Sequence, residues 1–156
     1  MPQSGKKQSP AGQAATDLIL NLFRVNNLLL TVGDRLVDGL GLTSARWQVL
    51  GAIAYAVRPQ PVAWLARDMG ANRQNVQRII NDLKEAGLVV FQTNPHHRRA
   101  QLVVLTDKGK QTFESAMRLQ GPWVNRLAQG LAVKDIEIAH RVLTTLRQRL
   151  DGKDVA

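Results

Sequence analysis

Between Val62 and Thr106 the apolar residues change their period once, and that change restricts the fold more than any other feature of the chain. Val62 to Met69 reads as a short helix closed by Gly70. Asn72 suits a helix cap. After it Val76, Ile79, Ile80 and Leu83 recur at the spacing of one helix face, as far as Ala86. Gly87 ends that helix. Leu88-Val89-Val90-Phe91 and Gln101-Leu102-Val103-Val104-Leu105 are then β-branched and aromatic runs, separated by a polar stretch from Thr93 to Arg99. Two helices joined by a glycine turn and followed by a hairpin make a helix-turn-helix with a wing.

Helical patterns flank this unit. Leu18, Leu22, Val25, Leu29, Val32 and Leu36 form a heptad-like stripe, widened by Ile19, Phe23, Leu30 and Val37. One narrow core seam does not need both rows, so the helix is expected to have two apolar partners. Gly39 and Gly41 end it. Thr43 caps the next helix, with Leu50 and Ile53 inward, and Arg58-Pro59-Gln60-Pro61 is a hard break. Thr106 starts a helix past Met117, with Gly121-Pro122 as a kink or restart and Gly130 as its end. Ile136, Ala139, Leu143, Leu146 and Leu150 restore heptad spacing in the last helix. The expected fold is mainly α with a small β-wing. Residues 1–12 read as a flexible basic tail and 13–152 as one domain. Its winged helix-turn-helix lobe spans about 43–106, between end helices at about 13–40 and 107–150.

At 156 residues and 17.2 kDa the chain suits one domain with a sizeable core. It has no cysteine, which excludes disulfides, thiolate metal sites, thiol catalysis and cysteine-based redox sensing. No apolar run approaches the roughly eighteen residues of a membrane span. The polar start, with Lys6 and Lys7, is not followed by the apolar stretch of a secretory signal, so the cytoplasm is expected. Lys and Arg total 21 against 12 Asp and Glu, a formal charge of +9, and fourteen of the 21 are Arg. Arginine forks onto phosphate and guanine edges. The balance points to a polyanionic partner, nucleic acid first, although a merely basic surface gives the same sum.

The second helix of the pair divides cleanly. Arg73, Gln74, Asn75, Gln77, Arg78 and Asn81 lie off its core face. Arg reads guanine or holds phosphate, and Gln and Asn read adenine. No acid occurs from residue 71 through Asn81, whereas a solvated structural face would carry Glu and Lys pairs. The hairpin tip is Asn94-Pro95-His96-His97-Arg98-Arg99. Two adjacent arginines on a protruding loop suit a minor groove, where negative potential concentrates. His96 and His97 are neighbours on an extended chain and point apart, with no third ligand type near, so phosphate contacts fit them better than a metal. There is no HExxH, no phosphate-loop lysine motif and no GxSxG. No catalytic residue, cofactor or metal site is expected, and the protein is not expected to be an enzyme.

These residues resemble the multiple antibiotic resistance regulator (MarR) family of bacterial transcription factors, over about Asp17 to Leu150. The resemblance is carried by Gly41-Leu42-Thr43, Trp47-Gln48-Val49-Leu50, Leu65-Ala66, Met69-Gly70, Asn72, Asn75-Val76, Arg78-Ile79, Leu83 and Ala86-Gly87-Leu88-Val89. Its strongest piece runs from Pro95 to Gly109, with Arg98-Arg99-Ala100, Leu102, Val104-Leu105-Thr106 and Lys108-Gly109. Membership implies a triangular homodimer, held by the first and last helices, on pseudo-palindromic duplex DNA. Recognition helices would enter the major groove through Asn72 to Arg78, and wings would reach the minor groove through Arg99. The family's wing usually carries an acid two residues before that arginine; here the position is His97, which adds charge when protonated instead.

Many relatives of this kind bind small aromatic or phenolic anions between the dimerisation helices and the lobe. Asn26, Arg46 and Trp47 are the candidates for such a pocket here, with a core role for Trp47 and a register-fixing role for Asn26 as the plain alternatives. The DNA-binding candidates are Asn72, Arg73, Gln74, Asn75, Gln77, Arg78, His97, Arg98 and Arg99. The leading expectation is a dimeric, sequence-specific repressor released by a small aromatic ligand. The alternative is a non-specific architectural winged-helix protein without an effector.

Overall fold

Ser9 accepts a hydrogen bond from the Gly12 amide at 3.0 Å, and Pro10 supplies the first helical φ. Helix α1 (Pro10–Val37) therefore begins inside the segment 1–12 that the sequence reading assigned to the tail. The computed structural model describes residues 7–152, so the expected tail up to residue 6 lies outside the described residues. The chain divides into two compact units, Met1–Leu119 and Gln120–Ala156.

In the first unit α1 ends in a short 3-10 turn, Asp38–Leu40, and the next helix, α2 (Ser44–Tyr55), starts as Thr43 Oγ1 accepts from the Arg46 amide at 3.2 Å. Helices α3 (Val62–Asp68) and α4 (Arg73–Glu85) follow. Gly70 between them sits at φ 61°, a left-handed conformation that side chains with a Cβ rarely adopt, and the Ala71 amide donates to Ala66 O at 2.9 Å. That closure turns the chain sharply from α3 into α4. Strands β2 (Val89–Gln92) and β3 (Leu102–Leu105) pair antiparallel, from Val89 opposite Leu105 to Gln92 opposite Leu102.

A two-residue strand, β1 (Gln60–Pro61), adds to the other side of β3 and makes the sheet order β1-β3-β2. The sequence reading has only a break there. Proline at a sheet edge loses no ladder bond, so a short edge strand tolerates what a central one would not.

The core of this unit lies where α2, α3 and α4 meet the sheet. Leu50, Leu65, Ile80, Leu83, Val89 and Val103 are all at most 1% exposed. Burial of Val76, Ile79, Ile80 and Leu83 fixes the rotation of α4, so its other face is turned outward. Helix α5 (Asp107–Ala128) begins as Thr106 Oγ1 accepts from the Gly109 amide at 3.0 Å and donates to Gly87 O at 2.6 Å. It adds Phe113, whose ring meets Tyr55 edge-on at 5.6 Å. By contrast Leu18, Leu22, Val25, Leu29 and Val32 of α1 are exposed, and only Gly33 and Val37 of that helix are buried.

Helix α5 runs unbroken through Gly121-Pro122, where the sequence allowed a kink or restart. Proline clashes with a preceding Cβ in helical conformation, and Gly121 has none. In the second unit, Gly130 at φ 80° and the Leu131 amide bonded to Ala128 O turn the chain into α6 (Val133–Asp151). No residue of α6 is buried, and Ile136, Ile138 and Val142 are exposed. No helix among the described residues is long and apolar enough to cross a membrane.

Candidate nucleic-acid interface

The first turn of α4 is built by Asn72. Its Oδ1 accepts from the amides of Gln74 at 2.9 Å and Asn75 at 3.1 Å, so this oxygen is committed to the cap. Only the Asn72 side-chain NH2 is left to serve a ligand. Arg73, Gln74, Asn75 and Arg78 are exposed and Gln77 is half-buried, as the periodicity predicts. Two side-chain pairs run along the face: Arg78 Nη2 donates to Asn75 Oδ1 at 2.8 Å, and Gln77 Nε2 to Asn81 Oδ1 at 3.1 Å. Both bonds lie on the exposed face of α4, between residues three and four apart.

The wing stands beside this face. A groove of about 250 Å³ separates them, lined by Arg73, Gln77 and Lys84 on the α4 side and by Phe91, Arg99 and Gln101 on the wing side. Its lining has three cations and no acid. The Lys84 ammonium lies 5.3 Å from the centre of the Phe91 ring, which ties the end of α4 to the root of the wing. Sequence reasoning missed Lys84, because its partner comes from the next element. His97, Arg98 and Arg99 are exposed on the tip between β2 and β3. The His97 amide donates to Asn94 O at 3.3 Å and its carbonyl accepts from the Ala100 amide at 3.1 Å. Asn94 itself is 8% exposed. Its Nδ2 donates to Ala100 O at 3.0 Å, and its Oδ1 accepts from the His96 amide at 3.0 Å. The tip is thus closed by a neutral amide at 94, whatever stands at 97. The Asn-Pro pair in a loop was the available sign of this turn.

The three ligand candidates lie in different surroundings. Asn26 is exposed on α1. Trp47 is half-buried and packs on the core. Arg46 Nη2 reaches Asp82 Oδ2 at 3.4 Å, with both side chains 36% exposed, and so links α2 to α4. Among the described residues no cluster of three or more His, Asp or Glu could hold a metal ion.

A helix without an acid from Arg73 through Asn81, its outer face set by its core stripe beside a cationic hairpin, defines a winged-helix DNA-binding protein. The comparisons with known proteins make this more specific. A family model described as MarR family matches residues 40–100. An uncharacterized protein of Mycobacterium tuberculosis is 35% identical over 114 residues, which are 73% of this chain and 78% of that protein. The transcriptional activatory protein BadR of Rhodopseudomonas palustris is 32% identical over 104 residues, 65% of this chain and 59% of that one. Among solved structures, CouR from Rhodococcus jostii RHA1, crystallised with p-coumaroyl-CoA, superposes with a TM-score of 0.75 at 21% identity, covering 85% of this chain and 92% of that chain. The chain belongs to the MarR family of transcriptional regulators.

Proposed function

We propose that the protein is a homodimeric, sequence-specific repressor acting in the cytoplasm on a pseudo-palindromic duplex. The observation that carries this reading is the groove in which Arg73, Gln77 and Lys84 of α4 face Arg99 of the wing without an acid among its lining residues. A backbone phosphate entering there meets Lys84 of α4 and Arg99 of the wing, while Arg73, Gln74, Asn75 and Arg78 are left to base edges and flanking phosphates. His97 and Arg98 add contacts at the tip. The exposed apolar stripe of α1 supports dimerisation, because Leu22, Val25 and Leu29 are uncovered in the single chain. Two copies would read two half-sites about one helical turn apart.

A small aromatic ligand is the proposed release signal. CouR, crystallised with an aromatic CoA ester, supports that class. Trp47 would offer a ring and Arg46 a cation, while Asn26 would reach the ligand from α1. An effector would act by favouring a dimer whose recognition helices are wrongly spaced for successive major grooves.

The test is a fluorescence-anisotropy titration on labelled DNA from the region upstream of the protein's own gene. Random duplex competes, and salt is varied. Nanomolar binding that random duplex displaces only at 10³-fold excess or more is the expected result for a regulator. A ratio below about tenfold favours the architectural alternative. Aromatic acids and their CoA esters are then screened for release. A reporter on the same upstream region gives the sign: expression that rises when the protein is removed fits a repressor, and expression that falls makes it an activator, as BadR is described to be.

A further inference from the structure

Asn94 is one of two buried polar residues in the described chain, the other being Ser44 at the start of α2. Its surroundings require one group that both accepts and donates. The His96 amide points at Oδ1, and the Ala100 carbonyl points at Nδ2, each at 3.0 Å. These two partners bracket the exposed segment His97-Arg98-Arg99. A short carboxamide satisfies both, and no charged side chain of the same size does. A carboxylate would keep the bond from His96 but set an oxygen against Ala100 O, with a charge in a site that is nine-tenths buried. Alanine would leave both backbone groups unpaired. The backbone bonds His97 N to Asn94 O and Ala100 N to His97 O, at 3.3 and 3.1 Å, close the turn within the tip, and the amide adds the two bonds that join its ends at the neck.

We propose that Asn94 is the positioning residue of the wing: its side-chain amide locks the tip so that Arg98 and Arg99 are presented to DNA already ordered. The assignment rests on the DNA-binding reading above and gives the wing's affinity a specific origin. A tip without the lock has to be ordered on binding, and the ordering subtracts from affinity. The acid-free run from Ala86 to Thr106 gains from the choice of residue, since the lock adds no negative charge beside the arginines.

The experiment is a binding cycle on the full chain with the upstream duplex, comparing the wild type, N94A, N94D, R98A/R99A and N94A/R98A/R99A. Amide exchange at Ala100 and at the core of the first unit is followed in the same proteins. N94A is expected to bind roughly tenfold more weakly, with the salt slope reduced toward that of R98A/R99A. N94D should be at least as weak. In the R98A/R99A background, the N94A change should alter affinity less than about twofold, because the arginines it positions are gone. Exchange at Ala100 should quicken while that of the core stays unchanged. A merely structural role would instead weaken every background equally and loosen the core. N94A binding as the wild type does, or an equal loss in both backgrounds, overturns the assignment alone. Failure of the wild type to bind any duplex overturns the DNA-binding reading and this assignment with it.

Discussion

Arg73 is the first residue of α4 and projects freely from its outer face, into the groove shared with the wing. Replacing it by alanine should cost about 1–3 kcal/mol at the cognate site and relax base choice at one position. Affinities measured on cognate and on random duplex decide its role, since equal losses on both would make it a phosphate contact. Arg46 is a different case. Its pair with Asp82 is long, at 3.4 Å, and a third exposed, so solvent screens it. Arg46→Gln should therefore lower stability by no more than about 1 kcal/mol in urea denaturation. A loss well above that would mean the link between α2 and α4 matters far more than its geometry suggests. The two residues also show what a sequence reveals of a site. Arg73, Gln74, Gln77 and Arg78 were legible because the positions of Val76, Ile79, Ile80 and Leu83 decide which way the rest of the helix points. Asn94, Lys84 and the Arg46–Asp82 pair were not, since each acquires its role from a partner that only folding brings near. Asp82 lies 36 residues from Arg46.

Helix α1 meets α2 through a close joint, and the elements on either side of it depend on three residues. Asp34 Oδ1 accepts from the Ser44 amide at 2.6 Å, and Ser44 Oγ donates to Leu30 O at 2.8 Å. Gly33 makes room for this, because a Cβ there would run into Ser44 Oγ. Alanine is normally the better helix former by about 1 kcal/mol. Here overpacking, at about 1–3 kcal/mol, opposes and should outweigh it. Gly33→Ala is expected to destabilise the protein, and Ser44→Ala should partly relieve the effect, since the Ser44 Cβ would sit at an ordinary 3.5 Å. Urea midpoints of the two single variants and the double variant test the coupling; simple additivity would show that the joint adjusts without strain. Most elements were readable because their ends carry local chemistry. Thr43 and Asn72 cap as their types prefer, and Gly70 and Gly87 close helices at positive φ. The departures have local causes as well. Strand β1 is too short to show a period, Pro10 starts α1 rather than extending the tail, and Gly121 removes the Cβ clash, one of the conflicts that Pro122 brings to α5.

For the whole molecule the apolar surface of α1 has to be reconciled with a formal charge of +9. Phe23 is 63% exposed and Leu28 65%, beside Leu22, Val25 and Leu29. A lone chain with that much contiguous hydrocarbon in water would associate, and like charges alone would keep copies apart. On the proposed function, a duplex with two half-sites would resolve the conflict, because it would hold two copies together and neutralise the cations both present. Dimerisation and DNA affinity should therefore fail together. Leu22→Glu and Leu29→Glu place charge in the middle of the stripe, far in sequence from α4 and the wing. The double variant should sediment as a single chain of 17.2 kDa, and the wild type at twice that mass. Its affinity for the full operator should drop by about 10²–10⁴-fold, the gain that linking two binding events supplies, while its affinity for an isolated half-site should hardly change. The half-site measurement separates the two causes. If half-site binding falls as well, the substitutions have damaged the lobe. If the variant stays dimeric, or the wild type sediments as a single chain, α1 does not form the dimer interface.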